Sequence, residues 1–183
     1  FLDLETTGTN VGADRIVEIG LLKIFPNGSK DSRTYKVNPT IPIPEETSKI
    51  HGIYDKDVKD APTFKDLSAE LNTFLGGSDL GGYNSNKFDI PLLIEEFTRC
   101  NIDFAILTRK LIDVQNIFHK MEQRTLAAAY KFYCNKDLTN AHSAEADTLA
   151  TYEVMLSQLD KYDSLKNDVD FLATFSAITK NVD

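Results

Sequence analysis

The first forty residues alternate between apolar and polar positions, which is the pattern of β-strands. A first strand opens the chain at Phe1-Leu2-Asp3-Leu4-Glu5 and ends in Thr-Thr-Gly. The alternation from Arg15 to Phe25 predicts a second strand, and Pro26-Asn27-Gly28 is typical of a hairpin turn. Ser29 to Asn38 should return as a third strand. The pattern therefore predicts a three-stranded antiparallel meander.

From residue 45 onward, apolar positions recur at helical spacing, interrupted by short apolar strands at Asp79 to Tyr83 and Lys110 to Val114. Thr63 is placed to cap one helix, and another begins near Asp89. The predicted helices are Glu45 to Ile50, Thr63 to Leu75, the helix from Asp89, Val114 to Met121, Thr125 to Cys134, Ser143 to Leu159 and Asp168 to Ile178. This order predicts an α/β fold in which helices flank one central mixed five-stranded sheet.

Length and composition limit the class of protein. A chain of 183 residues suits one domain with one core, so we expect a single domain over 1–183. No apolar run approaches the ~20 residues of a membrane span, and two cysteines without a disulfide framework predict a reducing, cytoplasmic location. Because the chain opens inside a strand without Met, we expect the natural chain to begin upstream, and Asp183 need not be its natural end.

The net charge of −8 argues against a broad basic patch and against tight, sequence-independent binding of a duplex. It does not exclude an enzyme that acts on nucleic acids, because acidic residues that bind divalent cations form a positive site once the cations are present.

The first strand carries the first candidate for chemistry. Alternation places Asp3 and Glu5 on one face, roughly 7 Å apart, a spacing at which two carboxylates can share one cation or hold two. Holding like charges together disfavours their ionisation, so the arrangement is costly for folding alone. The alternative is a strand end with two solvated carboxylates.

Two later stretches supply further candidates. Asp89 lies where a strand passes into a helix, the place where sites form in open α/β sheets, although it could simply be an acid at a helix N-terminus. Asp147 lies one turn inside a helix that Ser143 can cap, among alanines and a leucine, which favours a ligand over a solvated acid. His142 precedes that helix on a loop, and its alternative role is that of a surface histidine.

Together, the segments Asp3-x-Glu5-Thr-Thr-Gly, Asn84-x3-Phe88-Asp89 and His142-x4-Asp147 resemble the DEDDh group of 3′-to-5′ exonucleases. This DnaQ-like superfamily includes the epsilon proofreading subunit of bacterial DNA polymerase III, ribonuclease T and oligoribonuclease. The resemblance runs from residue 1 to about 160. It implies a ribonuclease H-like fold and hydrolysis of phosphodiester bonds at a 3′ end, with release of nucleoside 5′-monophosphates.

The resemblance also implies roles for individual residues. Four carboxylates, Asp3, Glu5, Asp89 and Asp147, would bind two divalent ions, and such hard oxygen ligands suit Mg²⁺ or Mn²⁺ better than zinc. Asp3 would bridge the two ions, and His142 would act as the general base for the attacking water. The residues expected to bind the terminal nucleotide are Leu4, Thr6, Thr7, Gly8, Ile50, His51 and Asn84. For His51, a capping or core role is the alternative.

Three further residues receive structural or open interpretations. Asp113 is interpreted as a helix cap and His119 as a structural residue. Tyr83 stands where many relatives carry histidine, so the resemblance does not define its contact with a nucleotide.

The substrate expected from these features is a single-stranded 3′ end, with DNA preferred to RNA. A DNA polymerase subunit is a candidate partner, and no membrane association is expected. Two alternatives stay open: an exoribonuclease of the oligoribonuclease or ribonuclease T type, and a non-catalytic module that binds nucleic acid or a polymerase.

Overall fold

The antiparallel meander is present in the computed structural model, which describes residues 1–140 and 143–177. Strand β1 (Leu2–Thr6) pairs with β2 (Ile16–Ile24), and β2 pairs with β3 (Lys30–Lys36). At the hairpin, the Phe25 N–H donates to Ser29 O over 2.9 Å, and Gly28 adopts a positive φ of 82°. The three predicted strands and their turn are confirmed.

Two further strands, β4 (Leu80–Gly82) and β5 (Leu111–Asp113), pair in parallel. The predicted strands thus form an α/β fold, but their hydrogen bonds are divided between a three-stranded and a two-stranded sheet. Within the described residues, no backbone ladder joins β1 to β4. They still lie side by side, because a Cβ added at Gly82 would stand 3.1 Å from Leu2 O.

The chain separates into two units, Phe1–Phe118 and His119–Asp183. The helices of the first unit are α1 (Glu45–His51), α2 (Asp55–Val58), α3 (Phe64–Leu75) and α4 (Asp89–Arg99), with a 3₁₀ turn at Ile106–Thr108. Helices α3 and α4 bury their apolar faces against the meander, where Phe97 is fully buried and packs with Phe64 at 5.1 Å and Phe104 at 4.7 Å between ring centroids. Helix α5 (Val114–Met121) spans the boundary between the units in sequence.

The caps of the first unit show which local signals decide the helix ends. Thr63 caps α3 as predicted and forms a reciprocal capping box with Asp66. Helix α2 and the 3₁₀ turn were not predicted from the sequence, because each is too short to show a periodic apolar pattern.

The second unit contains α6 (Leu126–Cys134), α7 (Ala144–Lys161) and α8 (Val169–Phe175). Ser143 occupies the N-cap position of α7, although its side chain makes no capping hydrogen bond. The last helix, predicted over Asp168 to Ile178, begins after its cap Asp168 and ends at Phe175, with Ser176 as its C-cap; Ile178 lies outside the described residues. In the described part of the chain, no helix is both long and apolar enough to cross a membrane.

Candidate active site

Asp3 and Glu5 lie on the face of β1 opposite to the buried Leu2 and Leu4, as strand alternation predicts. Asp3 is exposed and Glu5 is half-buried. The register between β1 and β2 shifts after Glu5, so that Glu5 pairs with Glu18 but Thr6 pairs with Ile16. Such a bulge bends the strand and redirects its side chains, and it lies at the point where β1 leads into the Thr-Thr-Gly turn.

The third carboxylate reaches β1 from α4. Asp89 is the first residue of α4 and is 5% exposed, and its Oδ1 accepts the Leu4 N–H over 3.0 Å. The Leu4 N–H points away from β2, toward the opposite edge of β1. The hydrogen bond therefore places Asp89 at the backbone between Asp3 and Glu5, although 85 positions separate its partners in sequence.

These three carboxylates influence one another electrostatically. Burial raises the pKa of Glu5, and repulsion from Asp3 adds to the effect, while the nearby His51 opposes it. Burial also raises the pKa of Asp89; the Leu4 N–H opposes the rise, and repulsion from Asp3 and Glu5 reinforces it. The ionised forms of Glu5 and Asp89 are therefore disfavoured by the fold until positive charge compensates them.

His51, at the end of α1, bridges two backbone segments. Its Nδ1 accepts the Ile53 N–H over 3.0 Å, so we assign the ring hydrogen to Nε2, which then donates to Thr6 O over 3.1 Å. The ring thereby ties the end of α1 to the end of β1. The preceding Ile50 is 84% exposed, so its apolar side chain is open to a ligand.

The turn after β1 is organised by Asp14. Its carboxylate accepts the Thr7 hydroxyl over 2.7 Å and the Asn10 N–H over 2.8 Å. Gly8 packs so closely that an added Cβ would lie 2.6 Å from Asp14 Oδ2. The Thr6 hydroxyl donates to Gly8 O over 2.6 Å. Both threonine hydroxyl hydrogens are thus used inside the turn, and the Thr7 hydroxyl oxygen also accepts the Arg15 N–H over 3.0 Å.

Helix α4 holds the same turn from the other side. The Arg99 guanidinium donates to Gly12 O over 2.9 Å and to Asp14 O over 3.3 Å, and it pairs with Glu96. Glu96 is 3% exposed, and Arg15 lies 3.9 Å from it. One helix thus carries Asp89 at its first turn and anchors the turn after β1 at its last.

The second predicted segment is held by Asp113, at the end of β5. Its carboxylate accepts the N–H groups of Gln115 and Asn116 at the start of α5, which confirms its role as a helix cap. It also accepts the Asn84 N–H over 3.0 Å. Asn84 adopts a left-handed φ of 57°, and the adjacent Tyr83 is 55% exposed.

The remaining predicted residues belong to the second unit. Asp147 lies in the first turn of α7, and its Oδ1 is buried without a hydrogen-bond partner, the only such side-chain atom found among residues 1–140 and 143–177. His142 lies outside the described residues. The structure therefore brings together Asp3, Glu5 and Asp89 near Thr6 and His51, and the roles of Asp147 and His142 stay predictions.

Whether these residues suit divalent metal ions is decided by their donor atoms. Over the described ranges, no three acidic, histidine or cysteine side chains are grouped closely enough to enclose an ion as they stand. The donor chemistry nevertheless fits, because Glu5 and Asp89 are partly removed from water and repelled by Asp3, and Asp147 has a buried oxygen without a donor. Carboxylate oxygens in this condition are the ligands that Mg²⁺ and Mn²⁺ prefer.

Sequence reasoning did not identify Asp14, Glu96 and Arg99 as part of this region. No local pattern marks them, since their contacts link the turn at residues 12–14 to the last turn of α4. One signal was available: an Asx residue between a Gly-containing turn and a strand commonly accepts nearby backbone N–H groups.

A family model and several known proteins match this chain. The model of the exonuclease family (RNase_T) matches residues 1–155. The 3′-5′ exonuclease DinG of Staphylococcus haemolyticus is 28% identical over 99% of this chain and 20% of its own length. The DNA polymerase III subunit epsilon of Buchnera aphidicola from Schizaphis graminum is 34% identical over 75% of this chain and 58% of its own length.

Among solved structures, E. coli Exonuclease I in complex with a dT13 oligonucleotide superposes with a TM-score of 0.61 at 17% identity. The match covers 88% of this chain and 40% of Exonuclease I, and at this identity it supports the fold alone. The chain belongs to the RNase_T exonuclease family, whose DnaQ-like members include the epsilon subunits. The chain spans 20% of the length of the DinG relative and 58% of the length of the epsilon subunit.

The strain in the carboxylate cluster leads to a prediction about stability. A raised pKa means that the native state binds protons more tightly than the unfolded chain, so the free energy of unfolding falls as pH rises through the carboxylate range, from about 4 upward. Asp89→Asn removes this penalty, and its amide oxygen can still accept the Leu4 N–H. In EDTA at pH 7, the variant should therefore be more stable than the wild type, and the difference should shrink near pH 3.

Urea unfolding at the two pH values measures this difference. Glu122→Gln, which neutralises an exposed acid of the second unit, is the control and should show no comparable gain. If Asp89→Asn is the less stable protein at pH 7 without metal, the fold does not disfavour ionised Asp89, and the prediction is wrong.

Proposed function

We propose that this chain is a 3′-to-5′ exonuclease that uses two metal ions to hydrolyse the last phosphodiester bond of single-stranded nucleic acid, most readily DNA. Nucleoside 5′-monophosphates are the products. The observation that carries the proposal is the Leu4 N–H to Asp89 hydrogen bond, which brings a carboxylate of α4 to the pair on β1. Family membership supports the class of reaction.

Asp3, Glu5, Asp89 and Asp147 are the residues that would hold two Mg²⁺ or Mn²⁺ ions, with Asp3 touching both. When bound, such ions stabilise charge that develops on the phosphate and lower the pKa of water. The Leu4 N–H holds Asp89 from the backbone, so this ligand is oriented before any ion binds.

His142 is the proposed general base that takes a proton from the attacking water. The neighbouring helix α7 begins at Ala144 and carries Asp147 in its first turn. The proposed base, His142, and the proposed metal ligand, Asp147, would therefore both belong to one short segment of the chain.

The terminal nucleotide would bind along the end of β1 and the turn that follows. Backbone groups of Leu4 to Gly8 would contact the sugar and the 3′-hydroxyl, and Asn84 would contribute from the turn before α4. Ile50 offers an exposed apolar side chain to the terminal base, and His51 holds that side of the site to Thr6. A net charge of −8 disfavours a fully paired duplex, so single-stranded or frayed ends are the proposed substrates.

We further propose that both units belong to one catalytic domain, because the family model spans residues 1–155 without a break. A DNA polymerase subunit is the proposed partner, by analogy with the epsilon subunit among the relatives. Two free cysteines, Cys100 and Cys134, support a cytoplasmic location.

The decisive experiment uses 5′-labelled single-stranded DNA and RNA of matched sequence with Mg²⁺. The oligonucleotides should shorten stepwise from the 3′ end, DNA faster than RNA, and EDTA should stop the reaction. Asp3→Asn should abolish turnover, whereas the control Glu122→Gln should not change it. Faster cleavage of RNA would favour an exoribonuclease; binding without cleavage by the wild type would contradict the proposal in favour of a non-catalytic module.

A second experiment separates the base from the ligands. Because His142 is proposed to move a proton rather than to bind metal, His142→Ala should keep its Mn²⁺ affinity while kcat falls by a factor of about 10²–10⁴. Calorimetric Mn²⁺ titrations beside pH–rate profiles measure both quantities, with Asp147→Ala as the variant expected to lose metal. If His142→Ala loses Mn²⁺ binding as fully as Asp147→Ala, the histidine is a ligand or a structural residue.

A further inference from the structure

Asp113 makes more hydrogen bonds than a helix cap requires. Its side chain is 5% exposed, and its two oxygens accept four backbone N–H groups. Two of these donors, Gln115 and Asn116, belong to the first turn of α5. The other two, Asn84 and Asn86, belong to the turn between β4 and α4, with N–H to oxygen distances of 3.0 and 3.1 Å.

The four donors are divided unequally between the two oxygens: Oδ1 accepts the Asn84, Gln115 and Asn116 N–H groups, and Oδ2 accepts the Asn86 N–H. Burial opposes ionisation of Asp113, but the four N–H donors outweigh it and hold its pKa below the usual range. Asp113 is therefore charged at neutral pH and uses both oxygens to organise the backbone.

The turn that Asp113 holds is also packed from the opposite side. Ser85 is 1% exposed, and a Cβ added at Gly82 would lie 2.6 Å from the Ser85 Cβ. The Ser85 carbonyl accepts the Ile90 N–H over 2.9 Å, which links the turn to the first turn of α4 beside Asp89. The path from Asp113 to Asp89 thus consists of one turn, with Ser85 buried at its centre, that is held by hydrogen bonds at both ends.

We propose that Asp113 is a positioning residue of the active site, which fixes the turn at residues 84–86 and thereby aims Asp89 at the Leu4 N–H. A catalytic effect of Asp113 rests on the proposed function, whereas its positioning of Asp89 does not. In this arrangement Asp113, the last residue of β5, orients Asp89, the first residue of α4, against the edge of β1.

Asp113→Asn is the sharpest variant, because the two oxygens have different donors. The amide oxygen can replace Oδ1 and keep the Asn84, Gln115 and Asn116 donors, but the amide NH₂ then faces the Asn86 N–H. The helix cap and the Asn84 contact are retained, while the turn loses its contact at Asn86. Asp66→Asn at the cap of α3 is the matched control, because it weakens a carboxylate cap far from the turn.

Residue-resolved amide exchange by NMR, without metal, measures the positioning directly. In Asp113→Asn, exchange should accelerate at Asn86 and also at Leu4, whose N–H is bound by Asp89. Mn²⁺ affinity should fall by about 10–100-fold, the usual effect of losing a group that orients a ligand. Asp66→Asn should leave the two exchange rates and the Mn²⁺ affinity at their wild-type values.

Unchanged protection of Leu4 in a folded Asp113→Asn protein would overturn the proposal, even if Asn86 exchanges faster. If the variant does not fold, the wild type decides: Asn84, Asn86 and Leu4 should be protected, and exchange there at the rate of an open loop would refute the network. If the wild type binds no Mn²⁺ and cleaves nothing, the proposed function fails, and the exchange data still decide whether Asp113 positions Asp89.

Discussion

The hydrogen bond from the Leu4 N–H to Asp89 is the interaction on which the candidate site depends. In a continuous sheet, the edge of β1 away from β2 would bond to a neighbouring strand. Here the Leu4 N–H donates to the Asp89 carboxylate instead. The five strands form a three-stranded and a two-stranded sheet. The site is thus built from a backbone donor that the sheet leaves unused.

This arrangement concentrates negative charge, and the rest of the first unit holds it in place. Arg99 fixes the turn at residues 12–14, and Asp113 fixes the turn at residues 84–86, so the loops on either side of Asp89 are both anchored. His51 anchors the end of β1 through Thr6. A rigid frame around mutually repelling carboxylates is what a site needs if bound cations are to supply the missing stabilisation.

The sequence predicted the parts of this fold that depend on local rules. Alternation placed Asp3 and Glu5 on one face of β1, turn residues defined the hairpin, and Thr63 marked the start of α3. It did not predict the interactions that position the side chains, because these join residues far apart in the chain. Asp113 was recognised as a cap from its place before a helix, but nothing local indicated that it also binds the turn before Asp89.

The same distinction applies to the candidate site. The resemblance of three short segments to a nuclease family identified Asp3, Glu5 and Asp89, which the fold brings together. The bulge after Glu5 and the two nitrogen contacts of His51 follow from tertiary packing, and no sequence pattern specifies them. The buried, unpartnered oxygen of Asp147 is likewise visible only in the structure.

We propose that these carboxylates form one site for two metal ions, and anomalous diffraction from crystals grown with Mn²⁺ tests this most directly. Two anomalous peaks about 3.5–4 Å apart are expected, both in contact with Asp3, with Glu5, Asp89 and Asp147 completing the ligands. The absence of an anomalous peak at Asp3 at saturating Mn²⁺, or peaks found only away from β1, would contradict this proposal.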